Sequence, residues 1–211
     1  MPRRELGGGA WIDVEPWLPD EVARDLHGAL VDELEWSQRP IVVFGREVLQ
    51  PRLIAWAGDR PYRYSGQVLP AQPFGPVLDG LRRRVEERTS LTFDHVLLNR
   101  YRDGQDHMGM HADDEPELGE DPQIAALSLG ARRRFVIEPK PKKLRKRRLS
   151  FSLESGSLMV MGGRMQHSWR HGVPKQASVE NERVNVTFRL LRYDPGMAPR
   201  RDSRRARGRT A

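Results

Sequence analysis

The stretch ERVNVTFRLL, from Glu182 to Leu191, alternates between polar and apolar residues over most of its length. Because successive side chains of a β-strand point to opposite faces, the alternation predicts a strand with one polar and one apolar face. The apolar face carries Val184, Val186, Phe188 and Leu190, and the polar face carries Arg183, Asn185, Thr187 and Arg189. A polar face usually meets water. Here, however, arginine, asparagine and threonine form a hydrogen-bonding set, and two guanidinium groups suit a dicarboxylate ligand.

Further short β-like runs accompany this strand in the second half of the chain, separated by Gly, Pro or acidic turns. They read FDHVLLNRY, IAALSLG, RRFVIEP, RRLSFSLES and GSLMVMGG. In LLNRY, Asn99 and Tyr101 share one face and offer neutral hydrogen-bonding groups. These runs predict a core made mainly of β-strands.

Two amphipathic helices are predicted before these strands. In WLPDEVARDLHGALVDELEW the predicted N-cap is Asp20, and the predicted buried face carries Val22, Leu26, Leu30 and Leu34. In PFGPVLDGLRRRVEERTS the buried face carries Val77, Leu81 and Val85. Between them, RPIVVFGREVLQPR predicts a β-hairpin that turns at Phe44-Gly45. Early helices followed by short strands favour a mainly β (α+β) sandwich or barrel with helices packed outside it.

The composition favours a single soluble domain. The chain has 211 residues, no cysteine and no apolar run long enough to cross a membrane. Without cysteine, disulfides and thiolate metal sites are excluded. The opening MPRRELGGGA lacks the apolar region of a secretory signal. We therefore expect a flexible N-terminus at residues 1–10 and a cytoplasmic protein, or a nuclear one in a eukaryote, that is not secreted.

The net charge of +7 is concentrated in two segments. KPKKLRKRR, from Lys140 to Arg148, carries seven basic residues and no acid, and the final PRRDSRRARGRTA carries six arginines and one aspartate. Such clusters either bind polyanions or remain solvated and disordered. For the internal cluster, between two predicted strands, we favour nucleic-acid binding. For the tail both explanations stay open.

The segment HMGMHADDEPELGED, from His107 to Asp121, gathers acids beside two histidines in this basic chain. A solvated loop, a calcium site and a redox-metal site are the alternatives. The calcium site is disfavoured because the ligand spacing and the glycine of an EF-hand are missing. In extended chain His111 and Asp113 point the same way, so a distant histidine would complete a two-His-one-carboxylate triad. His167 and His171 are both candidates, and spacing does not choose between them.

The order of these motifs resembles the AlkB family of Fe(II)/2-oxoglutarate-dependent dioxygenases, which repair alkylated nucleic acids. The similarity covers roughly residues 41–192, and LLNRYRDGQDHMGMHADDE and RVNVTFR carry most of it. VVFG, QPR and YRYSG are similar to segments of the branch that acts on double-stranded DNA. The resemblance implies a double-stranded β-helix, or jelly roll, beneath a nucleotide-recognition lid. We therefore divide the chain into a flexible N-terminus (1–10), N-terminal helices and lid with its hairpin (11–90), dioxygenase core (91–193) and basic flexible tail (194–211).

The resemblance also implies roles for individual residues. The implied metal ligands are His111, Asp113 and His171, which leaves His107 and His167 outside the ligand set. The implied 2-oxoglutarate site consists of Asn99, Tyr101, Arg183, Asn185, Thr187 and Arg189, with Arg183 on the distal carboxylate. The implied base pocket consists of Tyr62, Tyr64, Ser65, Asp114 and Glu115. The implied DNA contacts are Phe44, Gly45, Arg52, Lys142, Lys143, Arg145, Lys146 and Arg147, with Phe44 as a wedge that fills the gap left by a flipped base.

The implied activity is oxidative demethylation of DNA bases of the N1-methyladenine and N3-methylcytosine type, with Fe(II), 2-oxoglutarate and O2 as cofactors. Hydroxylation of the N-alkyl group would release formaldehyde, succinate and CO2. Asp114 and Glu115 would favour these cationic bases over unmethylated ones. We expect a monomer that binds alkylated DNA, double-stranded in preference, and no membrane.

Two features depart from the double-strand branch. Tyr64 stands where that branch more often has phenylalanine, and the internal loop and tail are unusually basic. The same chemistry on RNA or single-stranded DNA is therefore an alternative. A non-catalytic jelly roll that only binds nucleic acid is the alternative from another class.

Overall fold

The computed structural model describes residues 3–43, 46–64 and 66–193 of the chain. The predictions for Phe44, Gly45 and Ser65, and for the tail at 194–211, concern residues outside these ranges. The side chain of Arg145 also lies outside the described part. None of the described helices is long and apolar enough to span a membrane.

Strands dominate the described chain, which confirms the predicted mainly β fold class. In chain order the elements are β1 (Arg4–Gly7), β2 (Ala10–Pro16), α1 (Asp20–Glu33), β3 (Pro40–Val43), β4 (Arg46–Leu49), β5 (Leu53–Gly58), β6 (Tyr62–Tyr64), β7 (Gln67–Leu69), α2 (Pro76–Thr89), β8 (His95–Tyr101), β9 (Met108–His111), β10 (Ile124–Gly130), β11 (Arg133–Pro139), β12 (Leu149–Leu153), β13 (Ser157–Gly163), α3 (Met165–Ser168), β14 (Trp169–Val173) and β15 (Arg183–Arg189). Short 3-10 helices span Pro116–Leu118 and Lys142–Arg147.

Two antiparallel sheets form the core. The larger has the order β1-β2-β13-β10-β15-β8-β5, and the smaller has the order β12-β11-β14-β9. Their facing sides share an apolar cluster in which Phe135 and Ile137 of β11 meet Ile124 and Met159 of the larger sheet. Helices α1 and α2 cover the opposite side of the larger sheet through a second cluster. Two facing sheets with helices outside form the predicted jelly roll.

Strand β15 has the predicted alternation, but both of its faces are buried. Its apolar side chains are fully buried in the cluster beneath α1 and α2. On the opposite face Arg183, Thr187 and Arg189 are only 1%, 6% and 3% exposed. The polar face therefore lies between the two sheets, where its hydrogen-bonding groups need partners other than bulk water.

Helix α1 differs from the prediction at its start and on its buried face. Pro19 is the N-cap residue, and Asp20 is the first helical residue, where a negative charge favours the positive end of the helix dipole. Val22 is 36% exposed, whereas Ala23 and Leu30 are fully buried. A strict four-residue repeat drifts around a helix of 3.6 residues per turn, so the buried face does not include Val22.

The hairpin and the second helix agree with the prediction. β3 pairs antiparallel with β4, with Val43 opposite Arg46 and two residues between them. In α2, Leu81 and Val85 are buried and Val77 is partly buried against them.

The N-terminal part of the chain pairs with the strands of the core, and the boundaries at residues 10 and 90 stay predictions. β1 pairs with β2, so residues 4–7 form one edge of the larger sheet. β2 pairs with β13, and β5 pairs with β8. The small hairpin β6–β7 packs on this frame through a cluster that includes Tyr62, Tyr64 and Leu118.

Replacing Leu30 by Ala is expected to lower the free energy of unfolding by about 2–5 kcal/mol, because it leaves a cavity between α1 and the larger sheet. Val22→Ala on the same helix is the matched control, and we expect a change within about 0.5 kcal/mol because Val22 is partly exposed. Urea unfolding monitored by circular dichroism measures both. Equal losses in the two variants would contradict the described orientation of α1.

Candidate metal centre and cosubstrate pocket

The predicted metal ligands meet at one edge of the smaller sheet. His111 ends β9, and its cross-strand partner in β14 is His171. Nε2 of His171 lies 3.6 Å from Oδ2 of Asp113, and Nε2 of His111 lies 3.9 Å from Oδ1 of the same carboxylate. One ligand atom from each residue lies within 4.8 Å of the other two. Two imidazoles and one carboxylate form the donor set of a facial triad, which suits Fe(II) and leaves coordination positions for other ligands.

Asp113 is held in place from two sides. Nη2 of Arg189 donates to its Oδ1 at 3.0 Å, and its backbone N–H donates to Oε1 of Gln166 at 3.0 Å. Burial alone would raise the pKa of Asp113, but the charge of Arg189, with smaller effects from His171 and His111, holds this pKa below its ordinary value. The carboxylate is therefore negative and oriented at neutral pH.

Both imidazoles favour the neutral form, which is the form that binds a metal. Burial, with the neighbouring His111 adding to the effect, lowers the pKa of His171 to about 3. Desolvation also lowers the pKa of His111. Nδ1 of His111 lies 3.0 Å from the carbonyl of Gly109, which favours a proton on Nδ1 and leaves Nε2 free to coordinate.

A pocket lies beside these three residues, between the two sheets and next to Tyr64 of β6. Its lining includes Tyr64, Asn99, Tyr101, His111, Asp113, Phe135, His171, Asn185, Thr187 and Arg189. The register of β8 with β15 sets Asn99 opposite Asn185 and Tyr101 opposite Arg183. The six residues predicted to bind 2-oxoglutarate therefore lie on two adjacent strands.

Arg183 is a buried cation that bonds only neutral groups within the described part of the chain. Its Nη2 donates to Oγ of Ser128 and to Oδ1 of Asn185, both at 2.8 Å, and its Nε and Nη1 have no acceptor among the described residues. Burial lowers the pKa of Arg183 to about 10, so the guanidinium is still charged at neutral pH. A buried charge is costly unless an anion neutralises it. The unused donors fit a carboxylate of 2-oxoglutarate.

Arg52, which was predicted to contact DNA, has an internal position. It is 5% exposed. Its guanidinium donates to Oδ1 of Asn99 at 2.7 Å, to the hydroxyl of Tyr64 at 2.7 Å and to Oε1 of Gln50 at 2.5 Å. It also donates to the backbone carbonyl of His107 at 3.3 Å. All three nitrogens are engaged inside the protein, and the contact of Arg52 with DNA stays a prediction.

Buried polar groups lie next to the pocket on the side assigned to the base. Tyr62 is fully buried, with its ring centroid 4.6 Å from that of His95. Burial, together with the nearby charge of Asp113, raises the pKa of Glu115 to about 7. The carboxyl group of Glu115 also lies close enough to the hydroxyl of Tyr62 for a hydrogen bond that contributes to the pKa of each group.

Asp114, also assigned to the base, is already part of an ion pair. Nζ of Lys140 lies 2.8 Å from its Oδ2, and the backbone N–H of Lys140 donates to the carbonyl of Ser168. Lys140 is the first residue of the basic cluster, so this pair links the cluster to the residue beside Asp113. The 3-10 helix that follows exposes Lys142, Lys143, Lys146 and Arg147.

The other two histidines of these segments lie outside the ligand cluster, as predicted. Nδ1 of His107 lies 3.1 Å from the carbonyl of Gln105. Nε2 of His167 contacts the carbonyl of Glu120 and lies 3.4 Å from the carboxylate of Asp121. Both have local structural partners.

Two residues that support the site were missed in the sequence. Gln166 holds Asp113 across 53 positions of chain, and no local sequence signal marks such a contact. Arg133 is 1% exposed and donates to the carbonyls of Asp106 and Pro174, which precede β9 and follow β14. The alternation in RRFVIEP places Arg133 on the face of buried apolar residues, so the two-residue period could have identified it.

A jelly roll that combines such a triad with an arginine-lined pocket defines the class of non-haem iron oxygenases that use a keto acid. Residues 14–189 match the family model of the 2OG-Fe(II) oxygenase superfamily. The solved structure of OsALKBH1 has a TM-score of 0.59 and 15% identity, and the match covers 90% of this chain and 100% of that one. This likeness shows a shared fold.

Curated relatives narrow the class. The chain is 40% identical over 198 residues to alpha-ketoglutarate-dependent dioxygenase alkB homolog 3 of Homo sapiens, covering 90% of this chain and 66% of that protein. It is 38% identical over 179 residues to DNA oxidative demethylase ALKBH2 of Mus musculus, covering 82% of this chain and 74% of that protein. The chain therefore belongs to the AlkB family within the 2OG-Fe(II) oxygenase superfamily.

The matches do not separate the two groups of relatives. The chain spans 64% of the length of the Mus musculus alkB homolog 3 and 66% of the human one. Identities to the alkB homolog 3 proteins run from 38% to 41%, and those to the ALKBH2 proteins from 34% to 40%. Closeness to the double-strand branch stays a prediction.

Replacing Asp113 by Asn is expected to weaken Mn(II) binding by more than about 100-fold, because loss of a supporting partner alone commonly costs roughly 10–100-fold. Glu120→Gln, an exposed acid in the same segment, is the control and should bind as the wild type does. Metal titration followed by electron paramagnetic resonance measures both affinities. Unchanged Mn(II) affinity in Asp113→Asn would remove Asp113 from the ligand set.

Proposed function

We propose that the protein is an Fe(II)/2-oxoglutarate-dependent dioxygenase that demethylates DNA bases of the N1-methyladenine and N3-methylcytosine type. The products are the restored base, formaldehyde, succinate and CO2. The observation that carries this proposal is the cluster of His111, Asp113 and His171 beside a pocket lined from β8 and β15, with the unpaired Arg183 on the same face. Membership of the AlkB family supports the chemistry, and relatives named DNA oxidative demethylase support the substrate class.

The described residues fit both cofactors. The triad would hold Fe(II), and the free donors of Arg183 would hold a carboxylate of 2-oxoglutarate. Asn99 would add amide donors, because its Oδ1 is already occupied by Arg52. When bound, Fe(II) and 2-oxoglutarate supply the chemistry by which O2 oxidises an N-methyl group to N-hydroxymethyl while the keto acid becomes succinate and CO2. The hydroxymethyl group then loses its hydroxyl proton to solvent and leaves as formaldehyde, and the base keeps the electron pair of the broken N–C bond and becomes neutral.

Charge selects the substrate in this proposal. N1-methyladenine and N3-methylcytosine carry a positive charge at neutral pH, and unmethylated bases do not. Because Lys140 already neutralises much of Asp114, Glu115 is the acid that faces such a base. A cation against Glu115 favours its carboxylate form and lowers a pKa that burial raises to about 7. The preference is larger in a desolvated pocket than in water.

The lesion must leave the helix before it can reach such a pocket. Methylation at these positions blocks Watson–Crick pairing, so extruding the damaged base costs less than extruding an intact one. The exposed lysines and arginine of the 3-10 helix at Lys142–Arg147 would bind backbone phosphates. Duplex DNA as the preferred form is part of the proposal, with Phe44 as the wedge. RNA or single-stranded DNA is the alternative.

The function is tested by reconstituting the protein with Fe(II) without oxygen and then supplying O2 and 2-oxoglutarate. Methylated duplex DNA, single-stranded DNA and RNA are compared side by side. We expect succinate and formaldehyde in equal amounts, and faster turnover of N3-methylcytosine than of neutral N3-methylthymine. Succinate without formaldehyde on every strand would contradict demethylation, and no succinate at all would contradict the oxygenase assignment.

Phe44→Ala separates the duplex proposal from its alternative within the same assay. A wedge is needed only where a stacked partner strand must be replaced, so we expect a larger loss on duplex than on single strands. Equal losses on both forms would favour the single-strand or RNA alternative.

Neutralising the basic cluster is expected to flatten the salt dependence of DNA binding. Each phosphate contact contributes roughly 0.7–0.9 to the slope of log K against log salt, so four glutamine substitutions would remove up to about 3.6 units. The substituted residues are Lys142, Lys143, Lys146 and Arg147.

Four exposed arginines of α1 and α2 give a control with the same change in net charge, because these helices cover the far side of the larger sheet. They are Arg24, Arg83, Arg84 and Arg88. Fluorescence anisotropy of labelled duplex at several NaCl concentrations gives both slopes. Equal slopes in the two variants would leave the basic cluster as a solvated loop.

A further inference from the structure

The side chain of Arg52 connects three parts of the molecule by hydrogen bonds: β6, β8 and the segment before β9. It lies between Gln50 and β5, and its acceptors belong to the lid strand β6, to β8 and to the segment that leads into β9. A side chain that is 5% exposed and bonded to all three parts cannot move alone.

The cation of Arg52 is bonded to neutral oxygen atoms throughout the described chain. The acceptors are a side-chain amide of Asn99, a phenol of Tyr64, a second amide and a backbone carbonyl. No carboxylate of the described residues forms an ion pair with it. A buried guanidinium that lacks an anion depends on the directional hydrogen bonds it makes. The guanidinium of Arg52 and its four acceptors therefore restrict one another's positions.

The contact with Asn99 decides which end of that amide faces the pocket. A guanidinium carries only donors, so Oδ1 of Asn99 must point to Arg52 at 2.7 Å. The NH2 end is then turned away from Arg52, and Asn99 lines the pocket opposite Asn185. Arg52 thus orients the side-chain amide of Asn99 so that its NH2 group can donate to an anionic ligand in the pocket.

The contact with Tyr64 fixes an aromatic ring of the same pocket. Its hydroxyl accepts a hydrogen bond from Arg52 at 2.7 Å and donates one to Oε1 of Gln50 at 3.4 Å. Tyr64 is 7% exposed and lines the pocket together with His111. A flat ligand that packs against this ring would restrict it further, and Arg52 with it.

We propose that Arg52 is a positioning residue that couples the binding of a methylated base to the binding of 2-oxoglutarate; this rests on the proposed function. A base against Tyr64 orders Arg52, and an ordered Arg52 holds the donors of Asn99 toward the keto acid. The second ligand then finds part of its site already ordered and binds more tightly. Because coupling is reciprocal, 2-oxoglutarate tightens binding of the base by the same factor.

The test measures binding without turnover. With Mn(II) in place of Fe(II), the Kd of 2-oxoglutarate is determined by calorimetry with and without a saturating oligonucleotide that contains one N3-methylcytosine. For the wild type we expect the methylated strand to tighten 2-oxoglutarate binding by about 5-fold or more. The unmethylated strand should change it by less than about 2-fold, because no base enters the pocket.

Two variants remove the link from opposite ends. Arg52→Gln removes the cation and the fork, and Tyr64→Phe removes only the hydroxyl while keeping the ring. In both, the ratio of the two Kd values should fall toward one. Arg63→Gln is the control, since Arg63 neighbours Tyr64 in β6 but bonds Glu117 instead, and it should keep the wild-type ratio. A merely structural role would weaken both Kd values together and leave their ratio unchanged.

The outcomes separate this inference from the proposed function. A wild type that produces succinate and formaldehyde but shows a ratio near one overturns the coupling alone. A wild-type ratio that survives in both variants overturns it as well. Failure of the wild type to bind 2-oxoglutarate at all contradicts the proposed function. If Arg52→Gln does not fold by circular dichroism, Tyr64→Phe decides, because it leaves the buried guanidinium in place.

Discussion

The polar face of β15 constrains the rest of the molecule. It lies between two sheets, so every guanidinium, amide and hydroxyl along it must find a partner away from bulk water. Arg189 finds one in Asp113, and Arg183 finds only neutral oxygens for part of its donors. The same strand therefore orients the metal ligand Asp113 through Arg189. Six residues earlier it carries Arg183, a buried cation without an anionic partner among the described residues. One face of β15 thus supports the metal ligands through Arg189 and offers the donors of Arg183 to an anionic ligand.

Strand pairing brings the remaining parts to this face. The opposition of His111 and His171 across β9 and β14 sets the two imidazoles side by side, with ring centroids 4.3 Å apart. The pairing of β8 with β15 places Asn99 and Tyr101 beside Asn185 and Arg183. A shift of one residue in either pairing would turn these side chains to the other face of their sheets. Backbone register, which is fixed by the apolar clusters beneath the helices and between the sheets, therefore brings the residues of the site together.

The strands and most of the site could be predicted because their information is local or matches a family pattern. The two-residue period in Arg183–Arg189 specifies a strand and its two faces, and the resemblance to the AlkB family implies His171 as the ligand histidine. The failures concern contacts between distant segments. Arg52 ends the segment from which the hairpin was predicted, and nothing in that segment indicates its contacts with Asn99 and Tyr64. No residue near Asp114 in the sequence indicates its ion pair with Lys140. Val22 fits a four-residue repeat, but a helix has 3.6 residues per turn and leaves Val22 exposed.

The smaller sheet ends in β9, which among the described strands pairs only with β14 and has an irregular register beside His171. A strand of four residues with one free side is the part of a sheet that opens most readily. Because His111 belongs to β9 and His171 to β14, a metal ion bound by both side chains would stabilise the pairing of these two strands. Amide hydrogen exchange at residues 108–111 would then record how much of the protein carries metal, without any substrate being turned over.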